Sequence, residues 1–191
     1  MREKSNMETY IVDADDMRDD FEANNILSML QEVKKANPAF KISLFAIPKL
    51  GSDDFWNGFM EYDWIELCPH GLFHPTPREC QNWTYEQSLR YLDGIEHLGW
   101  AKIFKAPGWQ ISDGMYKALV EKGYAVADQI YNNSRRPKEL QTYLLDNSNK
   151  LHFHIGNLGG INQNDISKSI YFLKNLKGNF KFISEYLLLP K

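Results

Sequence analysis

Two histidines spaced four residues apart are the first candidates for chemistry in this chain. His70 and His74 bound the segment His70-Gly-Leu-Phe-His74, which directly follows the apolar run at 64–68. If this loop coils into a helical turn, the two imidazoles lie on one face and can share one metal ion. Two imidazoles and one carboxylate are the ligands of a typical catalytic zinc site. The alternative is a pair of surface-loop histidines between Pro69 and Pro75.

A cluster of three aspartates ends the first apolar run. The segment Val12-Asp-Ala-Asp-Asp16 holds Asp13, Asp15 and Asp16, and these carboxylates repel one another unless a cation lies among them. Because successive side chains of a strand point to opposite faces, Asp15 and Asp16 could divide two tasks, one binding the metal and one activating water. The alternative is a solvated acidic turn that caps the following helix.

Histidine, lysine and tryptophan follow later apolar runs. On a strand at 150–155, His152 and His154 face the same way, so one could be a general acid and the other a core histidine bonded to backbone. Lys105 ends another apolar run and could pair with the acidic cluster. Trp109, four residues later, offers a flat face for a sugar ring.

Apolar strands alternate with amphipathic helices along the chain. Strands are predicted at 10–16, 41–47, 64–68, 102–105, 124–127, 140–145, 150–155 and 180–183, and helices at 21–35, 52–60, 84–98, 112–121 and 165–176. About six alternations predict parallel strands with crossover helices, hence an α/β fold. From the pattern alone this is either an open doubly wound sheet or a small or incomplete (β/α) barrel. Both place ligand sites at the carboxyl ends of the strands.

Composition limits the classes of function. The chain has 191 residues, of which 43% are hydrophobic and 14% aromatic, enough for a folded core. We expect a flexible tail at 1–7 and a single domain at 8–191. The net charge of −3 argues against a basic nucleic-acid-binding surface. The sequence shows no secretory signal and no apolar run that approaches the ~20 residues of a membrane span. A cytoplasmic location is therefore the default expectation. The sequence leaves the oligomeric state open.

The order of these motifs resembles that of a known family. The chain resembles the NodB-homology polysaccharide deacetylases, which are like carbohydrate esterase family 4. The shared motifs are, in order, an acid pair, HxxxH, a basic residue that precedes a proline and an aromatic residue, and a histidine on a late strand. The resemblance runs from about Tyr10 to Ile183. It implies a distorted or incomplete (β/α) barrel that binds one divalent transition metal, most often Zn²⁺. It also implies removal of acetyl groups, N-acetyl more often than O-acetyl, from a glycan or amino sugar.

The resemblance further implies residue roles. Asp16, His70 and His74 resemble the ligands of the metal ion, which polarises the acetyl carbonyl. Asp15 resembles the catalytic base. The remaining matches are Lys105 in place of an arginine that orients the base, His154 or failing that His152 as the general acid, and Trp109, Gly71 and Pro107 at the substrate.

Several positions depart from the family pattern. Met17 replaces a glycine after the acid pair, Lys105 loses the bidentate contact of arginine, and Trp109 stands one residue late. Asp128 lies near another expected acid but lacks the tryptophan that should follow it. Two alternatives therefore stay open: a metal hydrolase acting on another small-molecule amide or ester, and a glycan-binding relative without catalysis.

Overall fold

A computed structural model describes residues 7–155 and 166–189 of the chain. Residues 1–6 of the predicted tail lie outside the described residues, and so does Asp165, the predicted start of the last helix. No helix in the two described ranges is long and apolar enough to cross a membrane.

Strands and helices alternate through both described ranges. The strands are β1 (Thr9–Met17), β2 (Ile42–Ala46), β3 (Ile65–Pro69), β4 (Ile103–Lys105), β5 (Ala125–Asp128), β6 (Thr142–Leu144), β7 (Lys150–His154) and β8 (Asn179–Lys181). The α-helices are α1 (Phe21–Ala36), α2 (Asp53–Phe59), α3 (Tyr85–Ile95), α4 (Asp113–Glu121), α5 (Ile166–Asn175) and α6 (Ile183–Leu187). Short 3-10 turns lie at Pro48–Leu50, Glu96–Leu98, Pro107–Trp109 and Ile130–Asn132.

Side-chain caps explain where several helices begin. Asp20 accepts a hydrogen bond from the Ala23 N–H at 2.8 Å and so caps α1. Thr84 and Gln87 form a capping box at the start of α3. Ser112 caps α4 by accepting from the Met115 N–H at 3.0 Å. These local contacts satisfy amide groups that have no partner within the helix.

All strand pairs within the described ranges are parallel, as the alternation predicts. One sheet has the order β3-β2-β1-β7, with β8 beside the first residues of β1, and a second has the order β4-β5-β6. A bridge between His70 and Lys105 and a hydrogen bond from the Ala101 N–H to the Leu67 carbonyl join β3 to β4. The strands therefore curl into an incomplete (β/α) barrel, and the predicted fold class is confirmed.

Alternate strand residues point into the barrel or out towards the helices. The outward residues form two cores, one under α1, α2 and α5 and the other under α3 and α4. The inward apolar residues are Ile11, Phe45, Cys68, Ile103, Ala125, Ala127 and Tyr143, joined by Ile183 of α6. Burial of these three clusters supplies the main driving force for folding.

The interior of the barrel becomes polar at the carboxyl ends of the strands. Asp13, Asp15, His70 and Lys105 are all buried there. Because a buried charge is costly without a partner, this layer of polar side chains must be paired internally or bind a cation.

Candidate active site

A bulge in β1 shapes the acidic end of the first strand. The step from Ala14 to Met17 is paired with the shorter step from Leu44 to Ala46, so β1 carries one additional residue. Asp16 lies in this bulge with a left-handed φ of 71°. The predicted strand that ends in the acidic cluster agrees closely with β1, which continues through the aspartates to Met17.

The bulge brings two adjacent carboxylates to one site. A regular strand would turn Asp15 and Asp16 to opposite faces. Instead, both carboxylates lie close enough to His70 to raise the pKa of its imidazole. Burial is the largest single effect and lowers this pKa, but the effects of Asp15 and Asp16 together outweigh it. The two side chains thus share one site and can still contact different partners.

The two histidines of the HxxxH motif meet without a helical turn. His70 follows β3, Gly71 has a φ of +63° and His74 a φ of 49°, so the loop between them is irregular. The Glu79 carboxylate accepts hydrogen bonds from the amides of Leu72 at 2.9 Å, Phe73 at 3.0 Å and His74 at 3.2 Å. The helical expectation is wrong because Glu79, a residue outside the motif, satisfies the amides and bends the loop.

The first triad consists of Asp16, His70 and His74. Asp16 Oδ1 lies 3.4 Å from His70 Nε2 and 3.2 Å from His74 Nε2, and the ring centroids of the two imidazoles are 5.1 Å apart. Metal–ligand bonds of about 2.0–2.1 Å in a tetrahedral zinc site separate ligand atoms by about 3.3 Å. The spacing and the donor types of this triad therefore fit a divalent transition ion.

Hydrogen bonding around the first triad orients its buried ligand. His70 Nδ1 contacts the Lys105 carbonyl at 2.9 Å, which leaves Nε2 facing Asp16. Such a contact on the far ring nitrogen is the usual support of a metal-binding histidine. Burial would raise the pKa of Asp16, but nearby His70, His74 and His154 lower it overall, so the carboxylate is ionised as a ligand must be.

Lys105 is a fully buried ammonium between two aspartates. Its Nζ lies 2.9 Å from Asp13 Oδ2 and 2.7 Å from Asp15 Oδ1, and 4.3 Å from the centre of the Trp109 ring. Burial lowers the pKa of Lys105, but the two carboxylates outweigh it and raise the pKa. The lysine is therefore charged and holds one oxygen of Asp15 in place.

Strand register pairs each histidine of β7 with an aspartate of β1. His152 is opposite Asp13 and His154 opposite Asp15, so the alternating residues of both strands face the interior together. His152 Nδ1 lies 2.7 Å from Asp13 Oδ2. His154 Nε2 lies 3.8 Å from Asp15 Oδ2, and the His154 side chain is 37% exposed. His152 is thus anchored in the interior, whereas His154 reaches the surface.

A second triad of possible ligands is Asp15, His152 and His154, whose ligand atoms also lie within 4.8 Å of one another. Lys105 already places a positive charge 2.7 Å from Asp15 Oδ1. A divalent ion here would meet that ammonium, whereas no described ion pair places a lysine ammonium on the carboxylate of the first triad. Electrostatics therefore favours the first triad as the cation site.

The three residues expected at the substrate lie next to residues of the site. Trp109 is half-buried with a φ of 61°, and its ring centroid is 6.0 Å from that of His152. Pro107 is buried, and a Cβ added to Gly71 would come within 2.7 Å of its ring. The Gly71 carbonyl accepts a hydrogen bond from the Tyr91 hydroxyl at 2.7 Å. Close packing with proline and a positive φ explain why glycine suits this position.

Asp128 lies outside the site. Its carboxylate accepts hydrogen bonds from Tyr116 at 2.5 Å, Asn132 at 2.7 Å and Arg136 at 2.9 Å, and these contacts fix the turn that follows β5. The Asn132 amide also contacts the Trp109 carbonyl at 3.2 Å. Asp128 therefore supports the backbone around Trp109 and has no described contact with a site histidine.

Two residues of the site carry no role in the sequence-based prediction. Asp13 could have been found from period-two alternation, which places it on the same face as Asp15. Glu79 gives no comparable sign, because nothing in its spacing links it to the amides that it binds.

Comparisons with known proteins concern mainly the fold. No model of a protein family and no curated protein matches the sequence. Among solved structures, a family 4 acetyl xylan esterase from Clostridium thermocellum, in complex with a cobalt ion, matches with a TM-score of 0.62 and 12% identity over 95% of this chain and 91% of that one. A family 4 carbohydrate esterase from Streptomyces lividans, in complex with acetate, has a TM-score of 0.49 and 14% identity over 72% of this chain and 79% of that one. The expected resemblance to the carbohydrate esterase family 4 fold is thereby confirmed for the fold of this chain.

Proposed function

We propose that this chain is a metal-dependent hydrolase that removes acetyl groups, principally N-acetyl, from a glycan or amino sugar. The observation that carries the proposal is the first triad of Asp16, His70 and His74 with Asp15 on the same cavity. Support also comes from the fold shared with an acetyl xylan esterase that was solved with cobalt.

Asp16, His70 and His74 are the residues that would hold the metal. A divalent transition ion, for which we propose Zn²⁺, supplies a Lewis acid for the acetyl carbonyl and lowers the pKa of a water molecule. The chain itself provides one carboxylate and two imidazoles with Nε2 atoms 3.4 and 3.2 Å from that carboxylate.

Asp15 is the proposed general base. Lys105 holds Asp15 Oδ1 at 2.7 Å, which leaves Oδ2 to accept a proton from the attacking water. The positive charge of the ammonium lies directly beside this carboxylate. Lysine performs this task with one contact, where a guanidinium would make two.

His154 is the proposed general acid. It is the more exposed of the two β7 histidines, so its ring can reach a substrate in the cavity. Burial lowers the pKa of His154 even though Asp15 and Asp16 oppose the shift. Its protonated form therefore gives up a proton readily, which suits protonation of a departing amine.

Trp109, Gly71 and Pro107 are the proposed substrate contacts. The half-buried indole of Trp109 can stack on a sugar ring at the edge of the cavity. The Tyr91 hydroxyl fixes the Gly71 carbonyl, and the Gly71 amide, which unlike those of the next three residues is not bonded to Glu79, can stabilise the oxyanion of the tetrahedral intermediate.

Metal content and product together test the proposal. We expect about one transition-metal ion per chain by mass spectrometry, and acetate release from N-acetylglucosamine oligomers that exceeds release from acetylated xylan. Asp15→Asn should keep the metal and lower turnover by at least about 100-fold. The double variant His70→Ala/His74→Ala should lose both the bound metal and the turnover.

His97→Ala is the matched control, because His97 is an exposed histidine remote from the site, paired only loosely with Asp53 at 3.6 Å. It should retain both metal and activity. An active Asp15→Asn, or no bound metal after zinc is added and excess removed, contradicts the proposal. Release of formate or phosphate instead of acetate would point to a hydrolase of another bond.

A further inference from the structure

The buried side chain of Asp13 is in a position to control two other residues of the site. Asp13 is fully buried, and its Oδ2 lies 2.9 Å from Lys105 Nζ and 2.7 Å from His152 Nδ1. We propose that Asp13 is a positioning residue that fixes Lys105 against Asp15 and sets the tautomer of His152. This inference rests on the proposed function for its kinetic consequence, although the geometry is independent of it.

The first effect of Asp13 concerns the base. Asp13 and Asp15 are two residues apart on β1, so both carboxylates face inwards and share the single ammonium of Lys105. Because the Asp13 contact restrains Nζ, the ammonium remains on Asp15 Oδ1 and the other oxygen stays directed at the histidines. A lysine stem alone is too flexible to define this geometry.

The second effect concerns His152. An ionised Asp13 carboxylate can only accept, so its contact requires His152 Nδ1 to donate, although Lys105 Nζ also lies 3.3 Å from that nitrogen. The Nε2 of a neutral ring is then an acceptor. That Nε2 is buried, has no hydrogen-bond partner, and lies 3.7 Å from Asp15 Oδ2. Asp13 thus determines that the ring presents an acceptor beside the catalytic carboxylate.

No described contact offers another acid for this task. Asp128 is bonded to Tyr116, Asn132 and Arg136. Asp16 is turned to His70 and His74. Of these acids, Asp13 alone contacts His152 Nδ1, and the in-register pairing of β1 with β7 places it there.

Nitrogen-15 NMR of the metal-free chain tests the tautomer without activity. We expect the neutral His152 ring to be protonated at Nδ1 in the wild type and to lose this preference in Asp13→Asn. A neutral wild-type ring protonated at Nε2 overturns the proposal. Because this spectrum needs no substrate, it remains decisive even if the chain releases no acetate and the proposed function fails.

Kinetics of Asp13→Asn test the effect on Asp15. We expect kcat to fall by about 10- to 100-fold, with KM changed less than about twofold and one metal ion per chain retained. Ser43→Ala is the matched control, because Ser43 is buried opposite Asp13 on β2 and bonds to Glu66 at 2.7 Å. Equal losses of kcat in the two variants would indicate a merely structural role for Asp13 and overturn the proposal.

Discussion

At the scale of single residues, the site depends on a balance of buried charge. Asp13 and Asp15 contribute two negative charges and Lys105 one positive charge, all in the barrel interior. Asp16 adds a further negative charge at the first triad. With neutral histidines the sum is −2, which one divalent cation would cancel. Charge balance therefore favours one ion and agrees with the distances in the first triad.

Removal of the buried ammonium should affect stability as well as activity. Lys105→Met preserves much of the side-chain volume but leaves Asp13 and Asp15 facing each other without a counter-ion. We expect a loss of about 3–5 kcal/mol in the free energy of unfolding, measured by urea titration, because breaking a buried ion pair strands the remaining charge.

The control for this prediction is Lys122→Met. Lys122 forms a partly exposed ion pair with Asp93, and such a pair contributes about 0–1 kcal/mol. Similar losses in the two variants would show that the Lys105 contacts contribute little to folding.

At the scale of elements, two irregularities create the first triad. The bulge in β1 turns Asp16 into the cavity, and the loop after β3 carries His74 back towards His70. Asp16, His74 and Trp109 all have positive φ values although none is glycine. Such backbone is costly and is often concentrated at functional sites, where surrounding contacts maintain it.

Glu79 is the contact that maintains the loop, so its loss should weaken metal binding. Glu79→Gln removes the charge that three consecutive amides share. We expect zinc affinity, measured by competition with a chelating dye, to fall by about 10- to 100-fold while the fold is retained. Glu61→Gln, at an exposed glutamate remote from the site, should leave the affinity unchanged. Unchanged affinity in Glu79→Gln would show that the His70–His74 geometry does not depend on Glu79.

The same elements show how far the sequence predicts the structure. Alternation on β7 correctly predicts that His152 and His154 face one way, and apolar runs predict the order of strands and helices. The sequence also predicts that the first strand ends in its acidic cluster, but it does not show why acids are tolerated inside, because their partners Lys105 and His152 are remote in the chain. The Glu79 contact is likewise tertiary, so no local pattern can reveal it.

At the scale of the whole molecule, the barrel separates stability from chemistry. The outward strand faces pack under the helices, and α6 contacts β1, β6 and β8 and inserts Ile183 into the interior. The buried charged residues of the candidate site lie towards the carboxyl ends of the strands. The apolar cores therefore support a layer of buried charges that would be costly in isolation.

This buried layer should make the stability of the molecule dependent on acid. Burial would raise the pKa of Asp13, but Lys105 and His152 lower it from 3.8 to about 2. Above about pH 5 the carboxylate is ionised in both the folded and the unfolded chain, and its full contribution to stability is present. As the pH falls towards 2 the unfolded chain takes up a proton first, so this contribution is lost.

Comparison of Asp13→Asn with the wild type should isolate that contribution. The difference between their free energies of unfolding, measured by urea titration of the metal-free chains, should shrink by roughly 2 kcal/mol between pH 5 and pH 2. Asp63→Asn, at an exposed aspartate, should differ from the wild type by a small amount at every pH. A difference for Asp13→Asn that stays constant with pH would mean that the folded chain does not hold Asp13 ionised. The shared contacts of Asp13 with Lys105 and His152 would then not be charged hydrogen bonds.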